Sequence, residues 1–415
     1  MQKKTLTLIL FVFINLAFSQ ESENNFMQEQ LVQLKWANGY QFSTADGKHS
    51  MKFGGRLMLD GADWKKGDDW SSGVEFRRVR LFTSGKMYNE FKYKLQIDFA
   101  GAQISFKDVY IEAYKMRMGH FKQPFSLEAL TSSKYMTFIE RALPNALLPE
   151  RNAGFMYYNS FLDEKLSFQI GSFYEGQKED LSKMVLSGDA YNIIGRATFL
   201  AVNNDNLLHL GASFAYRNRL TDNGDNYLSQ PFSISVRPEN HLGTKLLQFD
   251  HPINTIGLAG AEAAFVKGPF SIQGQYMMSS LDKDYINSEG FQVGNDGVWN
   301  GTGNYNFSGY YGQVSYFLTG EKRNYKNSLS GFGRVMPKNR GALELAVRYS
   351  SINLDVKSGE NGTVNGGALS NITIGLNAYY NAATRLMVNY VMGTMENGES
   401  EVSENAIIGR IQIDF

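Results

Sequence analysis

Residues 122–152 hold the chain's densest set of groups able to grip an oxyanion. Lys122, Lys134, Arg141 and Arg151 supply cations, and Thr131, Ser132 and Ser133 supply neutral hydroxyl donors. A guanidinium fork meets a pair of phosphate or carboxylate oxygens through two parallel hydrogen bonds and does not lose its charge, which makes Arg141 the first candidate for an anion contact. Glu140, directly before it, offers the competing use of that charge, a salt bridge holding the segment's own fold. The stretch is far too long for a turn and contains three of the chain's 8 prolines.

Other chemistry is missing. With no cysteine in 415 residues, disulfides, thiolate metal sites and cysteine nucleophiles are excluded. The five histidines, His49, His120, His209, His241 and His251, are scattered and form no metal-clamping pair. Neither a nucleophile elbow nor a phosphate-cradling Walker sequence occurs, so no enzyme, metal or cofactor is expected. Basic and acidic residues balance at 41 each, which argues against nucleic acid as a partner.

The elements that must position these cations are strands. Residues 1–19 read as a secretory signal peptide, with Lys3 and Lys4 before an apolar run too short to span a bilayer. Residues 20–38 form a polar arm, helical or flexible, and 39–415 a barrel. No later stretch is long and apolar enough for a membrane helix. Period-two alternation recurs instead: Met51, Phe53, Gly55, Leu57 and Leu59 oppose Lys52, Gly54, Arg56, Met58 and Asp60, and Phe91 to Phe99 splits the same way. This predicts an all-β fold, a transmembrane antiparallel β-barrel of about 16 strands, each about 9 to 12 residues long.

Where the phase is clear, inward positions hold Lys52, Arg56, Lys92, Lys94, Arg196, Arg217, Arg348, Arg385 and Arg410 against Asp60, Asp98, Glu344 and Asp414. A basic lining favours anions, although the open phase near 75–83 and 104–113 leaves Asp108 and Glu112 free to join the acids. Short turns near 88–89, 203–206, 267–268 and 381–383 are expected on one side of the membrane. Long excursions at 218–254, 282–304, 320–339 and 354–369 are expected on the other. Trp64, Trp70, Tyr88, Tyr157 and Tyr158 are candidates for the interfacial aromatic girdles.

The final strand, alternating and ending on Phe415, resembles that of bacterial outer-membrane barrels, where it acts as an assembly signal. Within 122–152 the order Phe125-Ser126-Leu127-Glu128, Thr131-Ser132-Ser133-Lys134 and Glu140-Arg141 resembles the phosphate-selective porin O and P family. The resemblance implies a trimer of 16-stranded barrels, each with its own channel narrowed by a long loop folded into the lumen. It matches Asp98 to a carboxylate near the family's phosphate site and places Ala129 where highly selective members carry a lysine. The function implied is passive diffusion of small hydrophilic solutes, preferentially anions, through the outer membrane of a Gram-negative bacterium. The alternative is a plugged barrel that binds partners or surfaces through loops 218–254 and 282–304.

Overall fold

The computed structural model describes residues 32–175, 190–203, 206–219, 232–251, 253–282, 304–327, 329, 331–338, 340–354, 366–398 and 400–415. The expected signal peptide, the arm up to residue 31 and nearly all of the 282–304 excursion lie outside the described residues.

Sixteen strands form one closed antiparallel barrel, as the alternation predicts. The first eight are β1 (Ser50–Lys66), β2 (Asp69–Met87), β3 (Phe91–Asp98), β4 (Ser105–Ala113), β5 (Met116–Lys122), β6 (Arg151–Phe161), β7 (Leu166–Tyr174) and β8 (Tyr191–Asn203). The second eight are β9 (Asn206–Asn218), β10 (Thr255–Lys267), β11 (Phe270–Asp282), β12 (Asn304–Phe317), β13 (Ala342–Asn353), β14 (Ala368–Tyr379), β15 (Thr384–Asn397) and β16 (Ser400–Asp414). Each pairs with its chain neighbours, and β16 closes the cylinder on β1 from Glu404↔Lys66 to Asp414↔Arg56. Closure leaves no strand edge for lipid to meet, as a barrel in hydrocarbon requires.

The two faces divide as the period of two demands. Leu57, Val347, Ile407 and Ile411 are 42%, 50%, 57% and 52% exposed, whereas Arg56, Asp60, Arg348 and Arg410 are buried. So large an apolar exterior suits lipid, and the charged face turns inward.

Three details depart from the expected layout. A short hairpin, Gln33–Trp36 with Tyr40–Ser43, pairs with the start of β1, so the arm expected over 20–38 contains a strand. Along β2 the register slips opposite Met58 and Leu59, which now face Arg78 and Phe76, leaving Arg77 as an extra residue in a β-bulge. The connection 318–341 joins β12 to β13 and therefore emerges on the same side as the short turns 88–90, 114–115 and 380–383, not with the long excursions. Conversely β1–β2 and β15–β16 are joined by two-residue connections on the long-loop side.

Two girdle candidates also turn inward. Trp64 pairs with the inward Ala406 and packs on an interior apolar cluster, and Tyr158 lies over Arg117 and bonds to Glu112. Trp70 and Tyr88 are outward and exposed.

Candidate functional site

The long connection between β5 and β6 covers residues 123–150, and its conformation is set locally. Ser126, at φ +70°, caps a single helical turn (Leu127–Leu130) by accepting from the Ala129 amide at 3.1 Å. The Thr131 hydroxyl donates back to the Leu127 carbonyl at 2.8 Å. Pro144 starts a second short turn, Leu143–Leu147.

Among the described residues, side chains of nine strands besides β5 hydrogen-bond to this segment. Arg56 of β1 donates to the Ser133 hydroxyl at 2.7 Å, and Arg77 of β2 forks onto Glu140 at 2.8 and 3.0 Å. Asn192 of β8 donates to Gln123, while Glu262 of β10 and Gln275 of β11 receive the Leu127 amide and the Ser126 hydroxyl at 2.7 and 3.0 Å. Arg348 (β13), Asn377 (β14) and Arg385 (β15) reach Glu128, the Thr137 carbonyl and the Met136 carbonyl at 3.3, 2.8 and 2.7 Å. Arg410 of β16 donates to the Ile139 carbonyl at 2.7 Å. Irregular backbone surrounded by polar partners in this way keeps its hydrogen bonds without water.

The sequence candidates fall into separate groups. In the first, Arg56, Lys94, Lys122, Arg141 and Arg151 share an electrostatic neighbourhood with Arg80, Asp98 and Asp108. Asp108 bridges Lys94 at 2.5 Å and Arg151 at 2.8 Å, and Asp98 takes Arg80 at 2.6 Å while accepting the Val79 and Ala100 amides. Arg56 has only the Ser132 and Ser133 hydroxyls. Lys122 donates to the Ala129 and Thr131 carbonyls, and Arg141 to the carbonyls of Glu128, Ala129 and Thr131. The expected Glu140–Arg141 bridge is not the arrangement found: Glu140 is taken by Arg77 and Arg410, because those guanidiniums reach it from the wall.

Lys134 borders this group through Arg56, and the remaining candidates lie elsewhere. Lys134 pairs with Asp414 at 3.1 Å, beside Arg334 and near Arg385. Arg410 forks onto Asp60 at 2.6 Å, and Arg348 meets Glu128 and Glu239. Arg217 pairs with Glu175, Arg196 with Glu262, and Lys92 with Glu112 at 3.3 Å. Lys52 donates to the Ala37 carbonyl at 2.5 Å. Most of the inward basic excess is therefore already matched by carboxylates, as buried charges must be.

Within the segment, burial pulls the Lys134 ammonium down to about 8, against the attraction of Asp414 and with help from Arg56 and Arg334. Burial pushes Glu140 upward, but Arg77, Arg78 and Arg410 outweigh it and hold the carboxyl well below its usual range. Burial also lowers Arg141, opposed by Glu128 and Glu140.

Sequence reasoning missed Arg77, Arg78 and Arg80. Arg78 is buried, with only the Met58 sulfur at 3.8 Å from Nη1 and no partner for Nε among the described residues. The signal was a parity change: outward Val74 and Phe76 are even-numbered, outward Leu81 odd, so one residue between them must bulge. Glu262 and Glu239 were missed as well. Glu239 sits in a connection, where no alternation assigns a face.

Apolar packing holds another part of the segment. Phe125, Leu143 and Leu147 join Ile234, Val236, Leu247 and Phe249 from the 219–254 connection against Ile256, Leu281, Phe307, Ile352 and Leu369 of the wall. On the turn side, Phe332 of 318–341 packs on Leu127, Ala264 and Val266, and its amide donates to Thr131 at 3.3 Å.

The family model described as phosphate-selective porin O and P matches residues 51–415. Porin O of Pseudomonas aeruginosa is 26% identical over 92% of each chain. Among solved structures, the outer-membrane channel DcaP of Acinetobacter baumannii has a TM-score of 0.57 at 12% identity, covering 90% of this chain and 99% of its own. An anion-selective porin from Comamonas acidovorans gives 0.52 at 12%, covering 88% and 100%. The two structures share the fold.

Proposed function

Because the chain belongs to the phosphate-selective porin O and P family and is thus an outer-membrane porin of a Gram-negative bacterium, we propose that small hydrophilic anions cross it along the charged wall of β1–β6. In this reading segment 123–150 is folded into the bore and sets its width.

The carrying observation is a local imbalance. Arg56, Arg80, Lys94, Lys122, Arg141 and Arg151 lie together; Asp98 and Asp108 pair with Arg80, Lys94 and Arg151, and no carboxylate among the described residues bonds to Arg56, Lys122 or Arg141. Fixed cations flanked by the Ser132 and Ser133 hydroxyls replace part of an anion's hydration shell and repel potassium. Ala129, in place of the family lysine, makes the well shallower for a doubly charged oxyanion, so chloride and monovalent oxyanions pass beside phosphate. The trimer implied by the family belongs to the same proposal, each barrel conducting alone and facing outer-membrane lipid on the rest of its surface.

Reversal potentials in planar bilayers under a potassium chloride gradient test the reading. A potential of the sign set by chloride supports it; one set by potassium sinks it. The second reading, a plugged partner-binding barrel, is favoured by the apolar cluster between Leu143, Leu147 and Phe249. Liposome swelling decides between them, since entry of a small neutral sugar requires an open bore.

A further inference from the structure

The outer surface of the barrel carries a groove at one end. Leu343 of β13, Ala378 of β14, Leu386 of β15 and Ile411 of β16 are successive cross-strand partners on the lipid-facing side. They stand at the end where the short turns emerge, which in such barrels faces the periplasm. Ala378 is the one short side chain in the row, between Leu343 and Leu386, and Leu386 and Ile411 beyond it are about half exposed. The notch it leaves is the floor of a groove of about 750 Å3. The next row toward the membrane centre, Leu345, Leu376, Val388 and Gly409, continues the apolar surface.

The groove's open end is polar. Arg340, Thr319 and Glu321 line it, and Tyr380, 78% exposed, stands at its edge. Glu321 is turned away, accepting from the Thr319 hydroxyl and, at 3.1 Å, from the Lys338 amide. Arg340 is exposed and makes no hydrogen bond or ion pair with a described residue. An apolar trough running into the bilayer, with an uncommitted guanidinium and a tyrosine at headgroup depth, matches one molecular shape in chemistry and in position.

We propose that this groove seats a single glycerophospholipid of the periplasmic leaflet, one acyl chain on the Leu343–Ile411 row and the phosphodiester on Arg340. The guanidinium fork takes two phosphate oxygens, and the acyl chain covers the Ala378 notch that a packed exterior would otherwise leave empty.

Native mass spectrometry of the full-length protein, released from detergent after incubation with phosphatidylethanolamine, tests the assignment. One lipid should remain per barrel. Arg340→Gln should weaken retention roughly tenfold, the weight of one charge-assisted hydrogen bond. Ala378→Leu, which fills the notch, should abolish it. Bilayer conductance and heat-modifiable migration, both expected to match the parent protein, establish that each variant is folded. Unchanged retention in either variant overturns the proposal. So does displacement of the adduct by millimolar inorganic phosphate, which would make Arg340 a free-anion site.

Discussion

Lys134 and Asp414 form an ion pair, Nζ to Oδ2 at 3.1 Å, that ties the segment between β5 and β6 to the second-last residue of the chain. The pair places a titrating cation beside the closing strand. Burial holds Lys134 at about 8, so its charge is present below that pH and lost above it. The anion-to-cation permeability ratio should therefore fall as pH rises from about 7 to about 9.5, and Lys134→Met should show a lower ratio with no such step. A parent ratio constant across that window would take this ammonium off the ion path.

Arg56 bonds to two hydroxyls and to no carboxylate, so no direct ion pair takes up its charge. Arg56→Ala should cut chloride-over-potassium selectivity about fivefold, the scale of one unit charge acting at about 4 Å through water. Arg56→Lys should restore most of it. Reversal potentials of the three proteins decide the matter.

Arg141 holds the backbone of the helical turn through three carbonyls. Its loss should loosen residues 128–131, giving a larger and noisier single-channel conductance together with reduced selectivity. Arg141→Lys keeps the charge without the fork, so it should recover selectivity and leave the conductance enlarged. An unaltered conductance in both variants would show that the turn does not border the pathway.

Glu262 is the acceptor shared by Arg196, His209 at 2.9 Å, Gln275 at 3.1 Å and the Leu127 amide at 2.7 Å. Glu262→Ala leaves the buried Arg196 without its carboxylate, at a cost of about 3–5 kcal/mol. The denaturant midpoint should drop accordingly, and a midpoint equal to the parent's would contradict this account of the network.

Gly55 exchanges backbone hydrogen bonds with Phe415, 2.7 Å to its carbonyl and 3.2 Å from its amide. A Cβ there would stand 2.7 Å from both the Arg80 carbonyl oxygen and the Phe415 ring. Gly55→Val should thus sharply reduce the heat-modifiable, folded fraction in refolding assays. Normal recovery would show that the seam yields.

Strand number and closure were legible because the period of two is written wherever one face meets lipid and the other does not. Phase was lost at Arg77, where a bulge shifts parity, and at Trp64 and Tyr158, whose amphipathic rings satisfy either face. The side of 318–341 follows from counting crossings, not from length. At the site, the cations Arg56, Lys94, Lys122, Arg141 and Arg151 were legible as charge on a known face or in a proline-marked segment. Their partners were not: Asp60 and Arg410 lie 350 positions apart, and only the closed cylinder joins them.

That seam governs how the protein can be made. The open edge of β1 waits for β16, and the hairpin at Tyr40–Ser43 shields only Ser50–Phe53 of it meanwhile. No truncated product can become watertight. An unclosed ribbon would expose a bare edge and a greasy side at once, so delivery through the periplasm demands an escort until β16 seats on β1.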